Sequence, residues 1–173
     1  MAFARLDTPY GTMQIVAGPD GLLRIDLPGR PFADPARVAA DAGYPPEVRE
    51  EGPEVVRARR QLEEAFAGRR RRFDLPLDPR GTPFDREVWA AVADVPHGEV
   101  ATYGDIARTV GRPTAFRAVG AANGRNPLPI VIPCHRIVGA GGRLTGYGGG
   151  LALKEALLEA EGVRVRSGRV TTA

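Results

Sequence analysis

The chain has 173 residues, 43% of them hydrophobic, and a formal net charge of +3. That length builds one medium domain or two small ones, and the apolar fraction can fill a core. The single cysteine excludes an intramolecular disulfide and any cysteine-rich zinc site, and no apolar run approaches a membrane span. The start, Met1-Ala2-Phe3-Ala4-Arg5, carries no signal-peptide pattern, and a lone thiol suits the reduced cytoplasm. The pI near 9.5 fits a polyanionic partner, although a net charge of +3 is a weak argument by itself.

Residues 1 to about 32 read as strands. Met13 to Ala17 is a short strand, Gly18-Pro19-Asp20-Gly21 is turn chemistry, and Leu22 to Leu27 returns with Leu23, Ile25 and Leu27 on one side. A short helix is expected over 36–42. A better one runs over 54–67, where Val55, Ala58, Leu62, Ala65 and Phe66 recur at helical spacing before Gly68. Arg69-Arg70-Arg71-Arg72 follows. It reads as a solvated loop rather than a phosphate-contacting patch, because no aromatic residues interleave with the arginines. Phe73 to Leu77 predicts a strand, and Asp78 to Pro83 is a linker by composition, which places a domain boundary there.

Beyond the linker the pattern turns helical. Phe84 to Val92 is the first helix, and Pro96-His97-Gly98 breaks the chain, with His97 read as a turn or surface residue. Thr102-Tyr103-Gly104-Asp105 opens a helix to about Val110, Gly111-Arg112-Pro113 turns, and Thr114 opens another to about Asn123. This is a helix-turn-helix pattern. Its second helix offers Ala118, Gly120, Ala121, Ala122 and Gly124, too few long side chains to read bases but small enough for a narrow groove. A pair of packing helices with no ligand is the competing reading.

The chemistry concentrates at Asn126-Pro127-Leu128-Pro129-Ile130-Val131-Ile132-Pro133-Cys134-His135-Arg136. Three prolines predict an extended approach, and Ile130-Val131-Ile132 a buried extended segment. At its end stands the only thiol, beside an imidazole and a guanidinium that can lower its pKa. Neighbours in an extended chain point to opposite faces, so a water or a turn is expected between Cys134 and His135. A buried structural cysteine is the alternative. Tyr147-Gly148-Gly149-Gly150 lets backbone approach a ligand closely and leads into a helix from Leu151 to Glu161. Leu153, Leu157 and Glu161 share one face of it. A carboxylate at the end of an apolar stripe and at a helix C-terminus needs a partner, and His135 is the candidate; an exposed, frayed Glu161 is the alternative. The segment 166–173 is expected to be a flexible tail.

Pro133-Cys134-His135-Arg136-Ile137-Val138 resembles the signature of the O6-alkylguanine-DNA alkyltransferases. The resemblance runs from Gly81-Thr82-Pro83-Phe84 through Gly98-Glu99-Val100 and Arg117-Ala118-Val119-Gly120-Ala121-Ala122-Asn123 to the glycine run and Lys154-Glu155. It implies an α/β (α+β) fold: residues 1–80 an N-terminal domain with a small antiparallel sheet and helices, 81–165 a mostly helical alkyl-acceptor domain with the helix-turn-helix. Cys134 would be the nucleophile that takes an alkyl group from O6 of guanine (and from O4 of thymine) and keeps it. His135 would help form the thiolate through a water, Glu161 would orient His135, and Asn126 would be the hinge between recognition helix and active-site strand. Tyr103 would meet the target's phosphate and donate to the leaving base. Arg117 would enter the minor groove and replace an extruded nucleotide. Tyr147, the backbone at Gly148, and Ile137 would line the guanine pocket, and Arg136 would be structural.

The resemblance further implies sequence-independent binding of double-stranded DNA by a monomer, with cooperativity on DNA left open, no cofactor, no metal and no membrane association. This chain lacks the cysteines with which some relatives hold a structural zinc, and has Gly148 where many carry Ser or Ala. A sister class has Trp in place of the cysteine, which Cys134 argues against. A DNA-binding regulator and a cysteine hydrolase remain as alternatives, the latter without the glycine context of a hydrolase nucleophile.

Overall fold

The computed structural model describes residues 1–171. The chain divides into two compact units, Met1–Arg80 and Gly81–Ala173. The first is built on a sheet of four strands in the order β3-β2-β1-β4: β1 (Ala2–Thr8), β2 (Gly11–Gly18), β3 (Gly21–Asp26) and β4 (Arg49–Glu50). The first three are antiparallel neighbours, and β4 adds a short parallel edge to β1. In β1 the alternate residues Ala2, Ala4 and Leu6 are buried, the period of a strand with one face on the core. Gly18 pairs with Gly21, so Pro19-Asp20 is the two-residue turn that the sequence predicts. Gly21 has φ +142°, and a Cβ there would stand 2.5 Å from the carbonyl oxygen of Pro76.

Two helices join this sheet: α1 (Pro35–Asp41), capped by the Asp34 carboxylate, and α2 (Pro53–Phe66). α2 buries Val55, Ala58 and Leu62 against the sheet side of the unit. The predicted strand over 73–77 does not form. Only an isolated bridge joins Leu22 and Leu77. The buried Gln61 amide bonds both the N–H and the carbonyl of Asp74, at 2.9 Å each, and so takes the place of a partner strand. In the arginine run, Arg70 donates to Glu64 and to the carbonyl of Arg72.

The second unit contains α3 (Pro83–Ala93), α4 (Tyr103–Thr109), α5 (Phe116–Gly124) and α6 (Leu151–Ala160). Thr82 and Thr102 close reciprocal capping boxes with Asp85 and Asp105, which explains why α3 and α4 start where they do. Trp89 of α3 donates through Nε1 to the carbonyl of Ala122 and locks α3 to α5. The α4–α5 pair is the helix-turn-helix, but α5 opens at Phe116, later than Thr114. Residues 112–115 instead close a turn in which Ala115 N–H bonds the carbonyl of Arg112. β5 (Ala101–Thr102) pairs in parallel with β6 (Ile137–Val138), which ties the start of α4 to the end of the cysteine segment. The segment expected to be a flexible tail pairs as a hairpin, β7 (Val165–Arg166) with β8 (Arg169–Val170), and Arg169 also bridges to Arg143. Thr172 and Ala173 lie outside the described residues. Val138, Leu144, Leu158, Val163 and Val165 form a buried cluster beneath it.

Candidate active site

The approach to Cys134 is not the extended rod that its prolines suggest. Proline fixes φ but leaves the chain free to turn at its neighbours. The Asn126 carbonyl oxygen accepts the N–H of Leu128 at 2.9 Å, its amide donates to the carbonyl of Ile132 at 2.8 Å, and Ile132 N–H returns to the carbonyl of Leu128 at 2.8 Å. The segment is therefore a compact loop wound around one asparagine. Ile130 at its tip has φ +75°, a left-handed conformation unusual for a β-branched residue. Its side chain is buried, and that burial offsets the backbone cost.

Cys134–Arg136 then forms a single 3-10 turn. The turn replaces the extended geometry expected between Cys134 and His135. Cys134, His135 and Arg136 are all buried. From the far side, α6 brings its C-cap residue Glu161. One carboxylate oxygen lies 2.8 Å from His135 Nε2. Arg136 donates Nε and Nη2 to the same carboxylate, at 2.9 and 3.0 Å, and Nη1 to the carbonyl of Val95 at 2.6 Å. Gly98 N–H adds a further bond at 3.1 Å. Gly98 has φ +82°, and a Cβ there would stand 3.2 Å from the Glu161 carbonyl oxygen.

The electrostatics follow from this packing. Burial pushes the Glu161 carboxyl up, but the bonds from His135 and Arg136 outweigh it and hold it at about 2. Glu161 is thus ionised at neutral pH. Burial pushes His135 down, against the opposing pull of Glu161, so the imidazole is neutral. Its bond to an ionised carboxylate places the ring proton on Nε2. Nδ1 then carries a lone pair, and it is buried without a hydrogen-bond partner. Burial also raises the Cys134 thiol, opposed first by the Asn126 amide and then by the Lys154 charge.

The other predicted site residues stand in the turn at 147–150, at the start of α4, in β6 and on α5. The Tyr147 hydroxyl is buried without a partner, and burial first, then the facing Cys134, push its pKa well up. Gly148 is exposed in the turn closed by Gly150 N–H on the carbonyl of Tyr147. Tyr103, the first residue of α4, accepts the Thr145 hydroxyl at 3.1 Å, which leaves its own proton free to donate. Ile137 is fully buried in β6. Arg117 stands apart from this network on the exposed side of α5.

Sequence reading gave no role to two participants, Lys154 and Asn123. Lys154, on the buried face of α6, is fully buried and donates Nζ to the carbonyls of Ile137 (2.5 Å) and Thr145 (3.1 Å). Burial brings it down to about 8. Asn123 directs its amide to the carbonyl of Cys134 at 3.4 Å and keeps a buried, unpartnered Oδ1. Arg136, expected to be structural, shares the Glu161 carboxylate with His135, a partner that the sequence reading did not give it. Its adjacency to His135 was the available signal, since a 3-10 turn can present both residues to one partner.

This arrangement suits nucleophilic chemistry at a buried thiol, with a neutral imidazole held by a fixed anion as its base. Two family models match, the 6-O-methylguanine DNA methyltransferase DNA binding domain over residues 83–163 and the ribonuclease-like domain of the same protein over residues 1–79. The constitutive methylated-DNA–protein-cysteine methyltransferase of Bacillus subtilis is 42% identical over 85% of this chain and 86% of its own length. The chain belongs to the 6-O-methylguanine DNA methyltransferase family. Family members from Methanosarcina acetivorans and Methanosarcina barkeri are 55% and 54% identical over 61% and 60% of this chain, stretches that span 67% and 66% of their own lengths. In the crystal structure of Mycobacterium tuberculosis OGT in complex with DNA, the methyltransferase fold superposes with a TM-score of 0.81 at 38% identity, over 93% of this chain and 92% of that one.

Proposed function

We propose that this protein repairs DNA by moving an alkyl group from O6 of guanine, and from O4 of thymine, onto Cys134, once per molecule. The observation that carries the reading is the His135 ring. Nε2 is committed to an ionised Glu161, and Nδ1 is left as a buried, unpaired base on the residue that follows the only thiol.

The reaction balances without a cofactor. Through one bridging water, the Cys134 S–H proton passes to His135 Nδ1, and the imidazolium is held by Glu161. The thiolate attacks the alkyl carbon, an S–C bond forms, and the C–O6 bond breaks. The electron pair leaves on the base, and the Tyr103 hydroxyl donates the proton that neutralises it. Lys154 and the Asn126 amide stabilise the thiolate against its burial. The product is a thioether with no low-energy route back to thiol, and the chain has no second cysteine to resolve it.

O6 lies inside the base stack of a paired duplex, so the nucleotide must be extruded to reach a buried thiol. The exposed side of α5, with Arg117, Ala118, Ala121 and Gly124, fits a minor groove and carries almost no base-reading chemistry. Arg117 would fill the vacated place in the stack. Tyr147, Ile137 and the backbone at Gly148 would receive the base. A monomer acting in the cytoplasm on any sequence context completes the reading.

The test is titration of the protein against excess duplex carrying O6-methylguanine, with intact-protein mass and peptide mapping. One methyl group per chain, on Cys134, is expected. Product in excess of protein, or an unmodified Cys134 after repair, overturns the proposal.

A further inference from the structure

Helix α5 has one feature that the proposed repair reaction does not use. Phe116, its first residue, is 50% exposed, the most exposed large hydrophobic side chain among the described residues. A single exposed apolar residue is ordinary on most surfaces. This one opens a helix whose other exposed residues, apart from Arg117, are small: Ala118, Ala121 and Gly124 follow it, and a Cβ at Gly124 would meet nothing within 4 Å. The two bulky groups at this end are Phe116 and Arg117, with the Arg117 guanidinium 5.8 Å from the Phe116 ring centroid. The leading end of the helix therefore carries one cation and one aromatic ring beside each other, ahead of a run of small exposed residues. Arg108, Arg112 and Arg125 are also exposed on this helix pair and its turn, each paired with a carboxylate, Asp105, Glu87 and Asp85 respectively, whereas Arg117 has no such partner among the described residues.

We infer that Phe116 is a second wedge of the DNA-binding helix, packing from the minor groove against the base step beside the extruded nucleotide while Arg117 fills the gap. This rests on the reading of α5 as the minor-groove element. Consecutive residues on a helix diverge by about 100°, so the ring cannot enter the same gap as Arg117 and must meet the neighbouring step. An apolar side chain at a base step unstacks it in part and bends the duplex, which lowers the work of extrusion. A ring without donors or acceptors adds this help without reading sequence. The occupant is the double helix itself.

The experiment compares Phe116→Ala and Phe116→Leu with the wild type. It measures alkyl-transfer rates on methylated duplex and on free O6-benzylguanine, and the fluorescence of 2-aminopurine placed beside the lesion. Phe116→Ala is expected to lose about tenfold on duplex, equivalent to ~1.4 kcal/mol, and to lose the 2-aminopurine signal. It should lose less than twofold on the free base, which needs no extrusion and also reports an intact fold. Phe116→Leu, still an apolar wedge, should stay within threefold of wild type on both substrates. Equal loss on the two substrates, no loss on duplex, or a Leu variant as slow as the Ala variant overturns the inference; the last result would mean that the ring acts only by supporting Arg117. Failure of the underlying repair reading looks different: the wild type itself would transfer no alkyl group from duplex to Cys134.

Discussion

Glu161→Gln tests the centre of the site, and its cost can be worked out from the geometry. The carboxylate is 11% exposed and receives His135 at 2.8 Å, Arg136 at 2.9 and 3.0 Å, and Gly98 N–H at 3.1 Å. A carboxyl held at about 2 against an ordinary 4.5 is worth roughly 3 kcal/mol to the folded state. Gln keeps the shape but turns donor protons toward Arg136 and leaves its buried charge unbalanced, which in other proteins costs about 3–5 kcal/mol. The expected loss at pH 7 is therefore about 3–5 kcal/mol. The sign is fixed by the lowered pKa: the stabilisation is complete above about pH 5 and is lost as pH falls toward 2. The gap between wild type and variant should shrink by about 2 kcal/mol by pH 3 and by about 3 kcal/mol by pH 2. Trp89 is the only tryptophan, is buried, and lies in the same unit, so urea unfolding followed by its fluorescence reports the right part of the chain. A loss below about 0.5 kcal/mol at pH 7, or a gap that does not close on acidification, would refute the assigned charge network.

Other consequences can be measured in parallel. Lys154 sits at about 8 against an ordinary 10.5, so the unfolded chain holds more protons between those values and this group's contribution to stability rises with pH across them. That rise, up to about 3 kcal/mol, should vanish in Lys154→Met, measured as the wild-type-minus-variant difference in urea unfolding from pH 7 to 10.5. Arg117→Ala should slow repair of methylated duplex by about a hundredfold, on the scale of about 3 kcal/mol, while free O6-benzylguanine reacts within a few-fold of wild type; equal losses would move Arg117 into the pocket's architecture. Cys134→Ser should bind lesion duplex with wild-type affinity in a gel-shift titration but transfer less than about a thousandth as fast, because an alcohol stays protonated where a thiol ionises.

Much of the framework is local and could be read along the chain. The Pro19-Asp20 turn, the apolar stripe of α2 and the Thr102–Asp105 cap depend on residues within a few positions of one another, so spacing alone specifies them. The Leu153–Leu157–Glu161 face likewise put the carboxylate at the end of an apolar stripe and made His135 its candidate partner, with an exposed Glu161 as the alternative; the bond to His135 forms. The Pro133–Val138 hexamer pointed to the family before any coordinate was needed.

What the tertiary structure alone decided is where distant or uncompensated groups meet. Prolines suggested extension at 127–133, yet one asparagine side chain satisfied enough backbone to fold that stretch into a loop, and burial held Ile130 at a positive φ. The 73–77 strand lost its ladder to the Gln61 amide, a side chain from another element. Arg136 and Glu161 lie 25 residues apart, and only packing of α6 against the cysteine turn makes them one network with His135. Lys154 is named in the sequence only as part of the resemblance, but α6 buries it, and the carbonyls of Ile137 and Thr145 replace its water. Backbone polar groups must be satisfied somewhere once water is excluded, and which side chain reaches them is a property of the folded neighbourhood rather than of local spacing.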